Sequence, residues 1–245
     1  MSFTIYPAID IRGGKCVRLY QGDYSLESTY YENPVEPAQK WYEAGAHWLH
    51  IIDLDGAKTG KPENLQIITE ILEKFKINIQ VGGGIRTLEA AQAYLNSGAA
   101  RIIIGSQALK DNRFVENLLN IHGPEKIVVS LDGRSDQVYS DGWLKESGRD
   151  LSTAALELAQ TGVNTFIYTD IEKDGTLSGP NITQALNLAA LTKKEVIVAG
   201  GIATADDVLY LARQQDLGIK GTVIGRALYT GGVNLKSLIS WLRRA

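Results

Sequence analysis

What this chain lacks narrows it first. A single cysteine, Cys16, among 245 residues excludes an internal disulfide and any multi-cysteine metal site. The three histidines, His47, His50 and His122, are scattered, and no HxH, HExxH or acid cluster has metal-ligand spacing. There is no GxGxxG dinucleotide fingerprint and no Walker lysine loop. The expectation is chemistry with no cofactor and no metal, which leaves proton transfer. No segment reaches membrane-spanning length, and Met1-Ser2-Phe3-Thr4 has neither a basic start nor a long apolar stretch behind it. A cytoplasmic protein with no membrane partner is expected. With a net charge of −3 and no basic stripe or tail, no nucleic-acid partner is expected either. A phosphate-bearing ligand still fits, provided backbone amides and a few cations handle its charge locally.

What is present is a rhythm. Short β-branched runs at 3–11, 47–54, 77–82, 101–105, 126–132, 164–170, 195–199 and 219–225 read as strands. Between them lie helical stripes: Leu65, Ile68, Leu72 and Phe75; Ile182, Ala185, Leu186 and Ala189; Leu235, Leu238, Ile239 and Leu242. Pro62-Glu63 is expected to open one helix, and Thr204-Ala205-Asp206-Asp207 to cap another. Eight strands each followed by a helix imply a parallel sheet with helices outside. The length suits a closed (βα)8 TIM barrel, which usually takes about 250 residues.

The halves repeat. Gly83-Gly84-Ile85 matches Gly200-Gly201-Ile202, and Ile52-Asp53-Leu54 matches Thr169-Asp170-Ile171, both at an offset of 117. Gly105 and Gly225 are 120 apart, and Asp10 and Asp132 are 122 apart. Periods this long exclude a solenoid and point to two duplicated half-barrels closing as a single domain over 1–245. Each matched pair then sits on opposite sides of the barrel mouth.

Those pairs carry the chemistry. Gly83-Gly84 and Gly200-Gly201 end the third and seventh strands, and Gly105-Ser106 and Gly225-Arg226 end the fourth and eighth. Glycine lets the backbone approach an anion, and the helix that follows presents unpaired N–H groups. A plain tight turn is the alternative at any one of them. Their duplication suggests two opposed phosphate sites, and hence a long substrate with a phosphate at each end. Asp10 and Asp132 project inward between those sites and could take and deliver protons. Alternatively each pairs with a cation, with Arg12 and Arg134 close by in sequence.

Other candidates remain open on the residues alone. Thr169 and Asp170 compete for the inward position at one strand end, and Asp174-Gly175-Thr176 reads first as a turn. Arg86 could meet a phosphate or a carboxamide, or simply solvent. Trp143 could stack on a flat ring or anchor its own connection. Trp41, Trp48 and Trp241 read as core, and His47-Trp48-Leu49-His50 as a strand start remote from the active face. Two long connections, 12–33 and 133–149, read as lids at the C-terminal face or as inert excursions.

Several stretches together resemble a family. They are Pro7-Ala8-Ile9-Asp10, Val17 to Asp23, Leu49 to Ala57, Val81-Gly82-Gly83-Gly84-Ile85-Arg86 and Thr169 to Asn181. They are similar to the phosphoribosylformimino-5-aminoimidazole carboxamide ribotide isomerases of histidine biosynthesis, and the likeness covers nearly the whole chain. The resemblance implies a half-barrel-duplicated (βα)8 enzyme. Its reaction is an Amadori rearrangement that turns the aminoaldose end of a bisphosphorylated substrate, ProFAR, into the aminoketose PRFAR. It implies Asp10 as general base, Asp132 as general acid and Thr169 as a catalytic neighbour. Asp174, Arg86 and Trp143 are then substrate-binding residues, and neither cofactor nor metal is needed. A monomer acting on a small molecule is expected. Three other readings stay open: a dual-substrate isomerase that also acts on phosphoribosylanthranilate, the sister cyclase of the pathway, and a phosphosugar-binding barrel without catalysis. The Arg18-Leu19-Tyr20-Gln21-Gly22-Asp23 run favours the isomerase over the cyclase.

Overall fold

A computed structural model describes residues 3–134, 136–140, 143 and 145–243. All eight predicted strands form: β1 (Thr4–Arg12), β4 (Trp48–Asp53), β5 (Asn78–Gly82), β6 (Arg101–Ile104), β7 (Ile127–Arg134), β10 (Thr165–Asp170), β11 (Glu195–Ala199) and β12 (Ile219–Ile224). Each pairs in parallel with its neighbours, and β12 returns to β1, which closes the ring. The fold is therefore an α/β barrel of the TIM type, with helices outside. In ring order β1 faces β7, β5 faces β11 and β6 faces β12, so each duplicated motif lies across the mouth from its twin.

Alternation along the strands builds two separate cores. Inward residues Ala8, Ile103, Val128, Ile167, Ile197 and Val223 fill the barrel. Outward residues such as Ile9, Ile51, Ile79, Ile102, Val129 and Phe166 pack under the helices. Near-continuous apolar strands result, because both faces are covered. The helix Leu65–Lys74 follows Asn64, whose side chain does not cap it, so it begins after Pro62-Glu63 rather than at that pair. Helix Ala205–Ala212 has the expected cap at its start, and it takes the form of a capping box, Thr204 and Asp207 each bonding the other's backbone. Trp41 is buried and Trp48 stands on the barrel floor, but Trp241 is 46% exposed. It falls off the Leu235/Leu238 stripe of its helix and so turns to solvent.

The two long connections are antiparallel hairpins that continue their strands. The first is β2 (Lys15–Tyr20) and β3 (Asp23–Tyr31), with β2 folded back on β1 so that Asp10 opposes Val17. The second is β8 (Gln137–Ser140) and β9 (Lys145–Asp150), with β8 folded back on β7 so that Asp132 opposes Tyr139. Of the 133–149 connection, residues 135, 141, 142 and 144 lie outside the described residues.

Candidate active site

The C-terminal ends of the barrel strands surround a cavity of about 250 Å³. Asp10, Asp132, Thr169, Asp174, Arg86 and Trp143 all line it, as do the glycine ends Gly83-Gly84, Gly105-Ser106, Gly200-Gly201 and Gly225-Arg226. The residues proposed from the sequence are thus brought to one place. The strand-end glycines have a packing reason as well. Gly84 (φ +71°) and Gly201 (φ +83°) occupy the left-handed region, and a Cβ on either would collide with a carbonyl oxygen, of Gly56 and Gly179 respectively. Gly105 and Gly225 adopt matching backbone angles, φ −96° and ψ −113° against φ −100° and ψ −103°, immediately before short helices. Duplication in sequence is duplication in geometry here.

The two acids, by contrast, have different partners. Arg12 and Arg134 are not those partners. Arg12 pairs with Glu27, and Arg134 lies 3.9 Å from Glu172. The hairpin instead carries Arg18 over Asp10, with Nη1 2.7 Å from Oδ2. Arg18 also reaches within 4.0 Å of Asp174 and lies over Gly225, where a side chain would collide with its guanidinium. Asp132 meets no cation among the described residues. Ser130 Oγ donates to its Oδ1 at 2.8 Å, and the Trp143 indole Nε1–H donates to its Oδ2 at 2.9 Å. The Trp143 ring lies over Gly22 of the opposite hairpin, so the two hairpin tips meet above the cavity.

Electrostatics follow from burial and these contacts. Burial pushes the Asp10 carboxyl above its ordinary value, and Arg18 opposes the rise. Asp174 is pushed up to about 6 by burial, with Arg18 opposing and the Asp10 and Asp132 charges assisting. Burial works against the charge of Arg18, but Asp10 and Asp174 outweigh it and hold its pKa above the ordinary guanidinium value. A buried cation flanked by two acids keeps its charge.

Thr169 lines the cavity, whereas Asp170 turns away and braces the connection that follows. Its Oδ1 accepts from Lys173 N at 3.1 Å and its Oδ2 from Asn181 Nδ2 at 2.7 Å. Asp53 does the same in the first half, accepting from Gly56 N at 2.8 Å and from Asn64 Nδ2 at 2.7 Å. Arg86 is held at the rim by a 2.6 Å bond from Nη2 to the Ala57 carbonyl. Two residues that sequence reasoning passed over also line the cavity: Arg18, and His50, which stands at mid-height on the inner face of β4. For Arg18, the alternation of Cys16 to Tyr20 after the Gly13-Gly14 turn was an available hairpin signal. For His50, the signal was its inward parity with Trp48 and Ile52.

Residues 4–234 match the histidine biosynthesis protein family. A Brevibacillus brevis protein is 47% identical over 239 residues, covering 98% of this chain and 96% of its own. One from Geobacillus thermodenitrificans is 48% identical over 234 residues, covering 96% and 95%. One from Bacillus subtilis is 43% identical over 243 residues, covering 99% of each. All three are named 1-(5-phosphoribosyl)-5-((5-phosphoribosylamino)methylideneamino)imidazole-4-carboxamide isomerase.

Proposed function

The chain belongs to the histidine biosynthesis protein family, and from that membership we propose that it carries out the isomerisation its relatives are named for, with Asp10 as base and Asp132 as acid. It is an isomerase of histidine biosynthesis that converts ProFAR to PRFAR. One observation carries the assignment of roles: two inward carboxylates on opposite strands share a cavity, and among the described residues only Asp10 has a cation beside it.

Asp132 protonates the furanose ring oxygen, the C1′–O bond breaks, and the nitrogen lone pair forms the Schiff base. Asp10 then removes the C2′ proton, and the electrons of that bond neutralise the iminium to give an enolamine. The enolamine tautomerises to the ketone by moving its hydroxyl proton to C1′. One proton has passed from Asp132 to Asp10, and exchange with solvent resets the pair. Arg18 suits Asp10 to the role of base because it favours the ionised form, while burial keeps that form reactive. The Trp143 indole occupies the Asp132 oxygen Oδ2, so it must withdraw as substrate enters and free that atom to donate. The glycine ends of β5–β6 and β11–β12 serve as the two phosphate grips, through Gly83, Gly84, Gly105 and Ser106 on one side and Gly200, Gly201, Gly225 and Arg226 on the other. Holding both ends of a long substrate fixes the reacting sugar between the acids, a positioning effect worth several kcal/mol, on the order of 7 when geometry is tight. Arg86, Trp143 and Asp174 contact the substrate between the grips, and Thr169 stands beside the acid.

The test is direct incubation with ProFAR and, separately, with phosphoribosylanthranilate. Formation of PRFAR alone supports the reading. Turnover of both would make this a dual-substrate enzyme, and turnover of neither would leave a barrel that only binds phosphosugars.

A further inference from the structure

The floor of the barrel holds a polar chain that the chemistry above does not use. Arg101, on the inner face of β6, lays its guanidinium 4.5 Å from the Trp48 ring and 5.2 Å from the Tyr6 ring. Its Nε and Nη2 both donate to Gln80 Oε1, at 2.9 and 2.7 Å, and Nη2 also donates to Tyr6 Oη at 2.7 Å. Of the two amide atoms of Gln80 only the oxygen can accept, so two guanidinium donors fix the amide with its oxygen toward Arg101. The amide NH2 must then face the other way, and it lies 2.8 Å from His50 Nδ1. Nδ1 accepts that bond and carries no proton, so the neutral imidazole carries its proton on Nε2. Nε2 has no partner among the described residues, and His50 lines the cavity.

We propose that Arg101 and Gln80 are positioning residues that hold His50 as its Nε2–H tautomer, a neutral donor aimed at an oxygen of the reacting sugar. The proposal rests on the isomerase reading for its substrate. The register supports the aim: Ala8 pairs with His50 and Asp10 with Ile52 on neighbouring strands, so the imidazole stands one inward layer below the Asp10 carboxylate. A neutral ring there does not compete with Asp10 for the proton. Its hydrogen bond strengthens as the enolamine hydroxyl gives up its proton and charge builds on that oxygen on the way to the ketone, which is how a preorganised donor accelerates a reaction. Burial first, then the Arg18 and Arg101 charges, push the His50 pKa down to about 3, which keeps the ring in this form across the working range.

The competing account is a polar core that merely satisfies itself, and the test separates the two. Long-range 15N–1H NMR of the free wild-type protein reads the tautomer without substrate; removing His47 and His122 in turn assigns the three rings. The proposal expects protonated Nε2, bare Nδ1 and no titration from about pH 5 to 9. Gln80→Glu keeps the size but offers His50 only acceptor oxygens, so Nδ1 must become protonated. In that variant kcat on ProFAR should fall about tenfold or more, the loss of one well-placed donor, while KM changes less. A wild-type ring protonated on Nδ1 overturns the proposal, as does a Gln80→Glu variant that switches tautomer at unchanged kcat. If the acid prevents folding, Gln80→Met is read in the same way, since it removes the amide donor at similar volume. Wild-type turnover of ProFAR tests the isomerase reading separately, so the two can fail independently.

Discussion

The molecule contains two pairs of duplicated acids, and the pairs differ in how far their surroundings repeat. Asp53 and Asp170 stand at equivalent strand ends and keep equivalent partners, a backbone N–H three residues on and an asparagine amide eleven residues on. Asp10 and Asp132 also stand at equivalent strand ends, yet one faces Arg18 and the other faces Ser130 and Trp143. The first pair repeats a brace, which each half-barrel needs equally. The second pair must divide base from acid, and two carboxylates divide only when their surroundings differ. The difference is supplied by few residues: Ala8 occupies the position where Ser130 stands in the other half, and each hairpin delivers its own contact.

Breaking the second pair should have the largest effect. Asp10→Asn removes the base while leaving the cavity's shape, so kcat should fall by about 10³-fold with ProFAR still bound, within the range for loss of a general base. Steady-state kinetics with a direct binding measurement checks this; near-normal turnover would end the assignment of Asp10. Breaking the brace should instead cost stability and spare the chemistry of the acids. Asp53 is fully buried and also accepts from Asn64 N at 2.8 Å and Tyr94 Oη at 2.9 Å, whereas Asp170 has fewer donors to satisfy. Asp53→Ala should therefore destabilise the fold by about 3 kcal/mol or more, and Asp170→Ala by about half as much, because each orphaned buried donor costs roughly 1–3 kcal/mol. Equal losses in urea denaturation would mean that the twins have not diverged in this way.

Asp174 sharpens the comparison through pH. Its carboxyl is raised from 3.8 to about 6, chiefly by burial. The folded state therefore binds this proton more tightly than the unfolded chain does. The resulting stability is fully present below about pH 4 and is lost as pH rises through about 6. Measured against Asp174→Asn, wild-type stability should decline across that window and level off above it. A flat difference would show that Arg18 offsets the burial of Asp174 completely.

Much of this was legible in the sequence, for identifiable reasons. Strand periodicity is local, so the barrel strands could be read from β-branched runs, and duplication exposed the acids and glycine ends without any contact being known. Partners were harder. Arg18 reaches Asp10 only because Gly13-Gly14 turns the chain back, and that fold-back depends on a hairpin inside what reads as a loop. Arg12 and Arg134 are nearer in sequence, but each sits at the hairpin's outer end with Glu27 or Glu172 for a partner. His50 was dismissed by counting from the strand's start, yet β4 is so short that its third residue already borders the cavity. Trp241 failed for the reverse reason: its size suggested core, but the stripe of its helix passes beside it.

The smallest change tests whether the surroundings alone make the acids unlike. Ser130→Ala gives the strand of Asp132 the residue that Asp10 has at Ala8, and it removes one hydroxyl donor from Oδ1. Nothing else in the cavity is altered, and the Trp143 bond to Oδ2 remains. One such bond to a carboxylate is worth about 1.5–3 kcal/mol when fully realised and less near solvent, so kcat should change by about tenfold at most. The form of the change matters more than its size. If Ser130 orients Asp132 for its turn as acid, kcat should fall while KM for ProFAR stays put. A rise in KM at unchanged kcat would mean that Ser130 serves substrate binding, and that the acids are made unlike by their hairpins rather than by their strands.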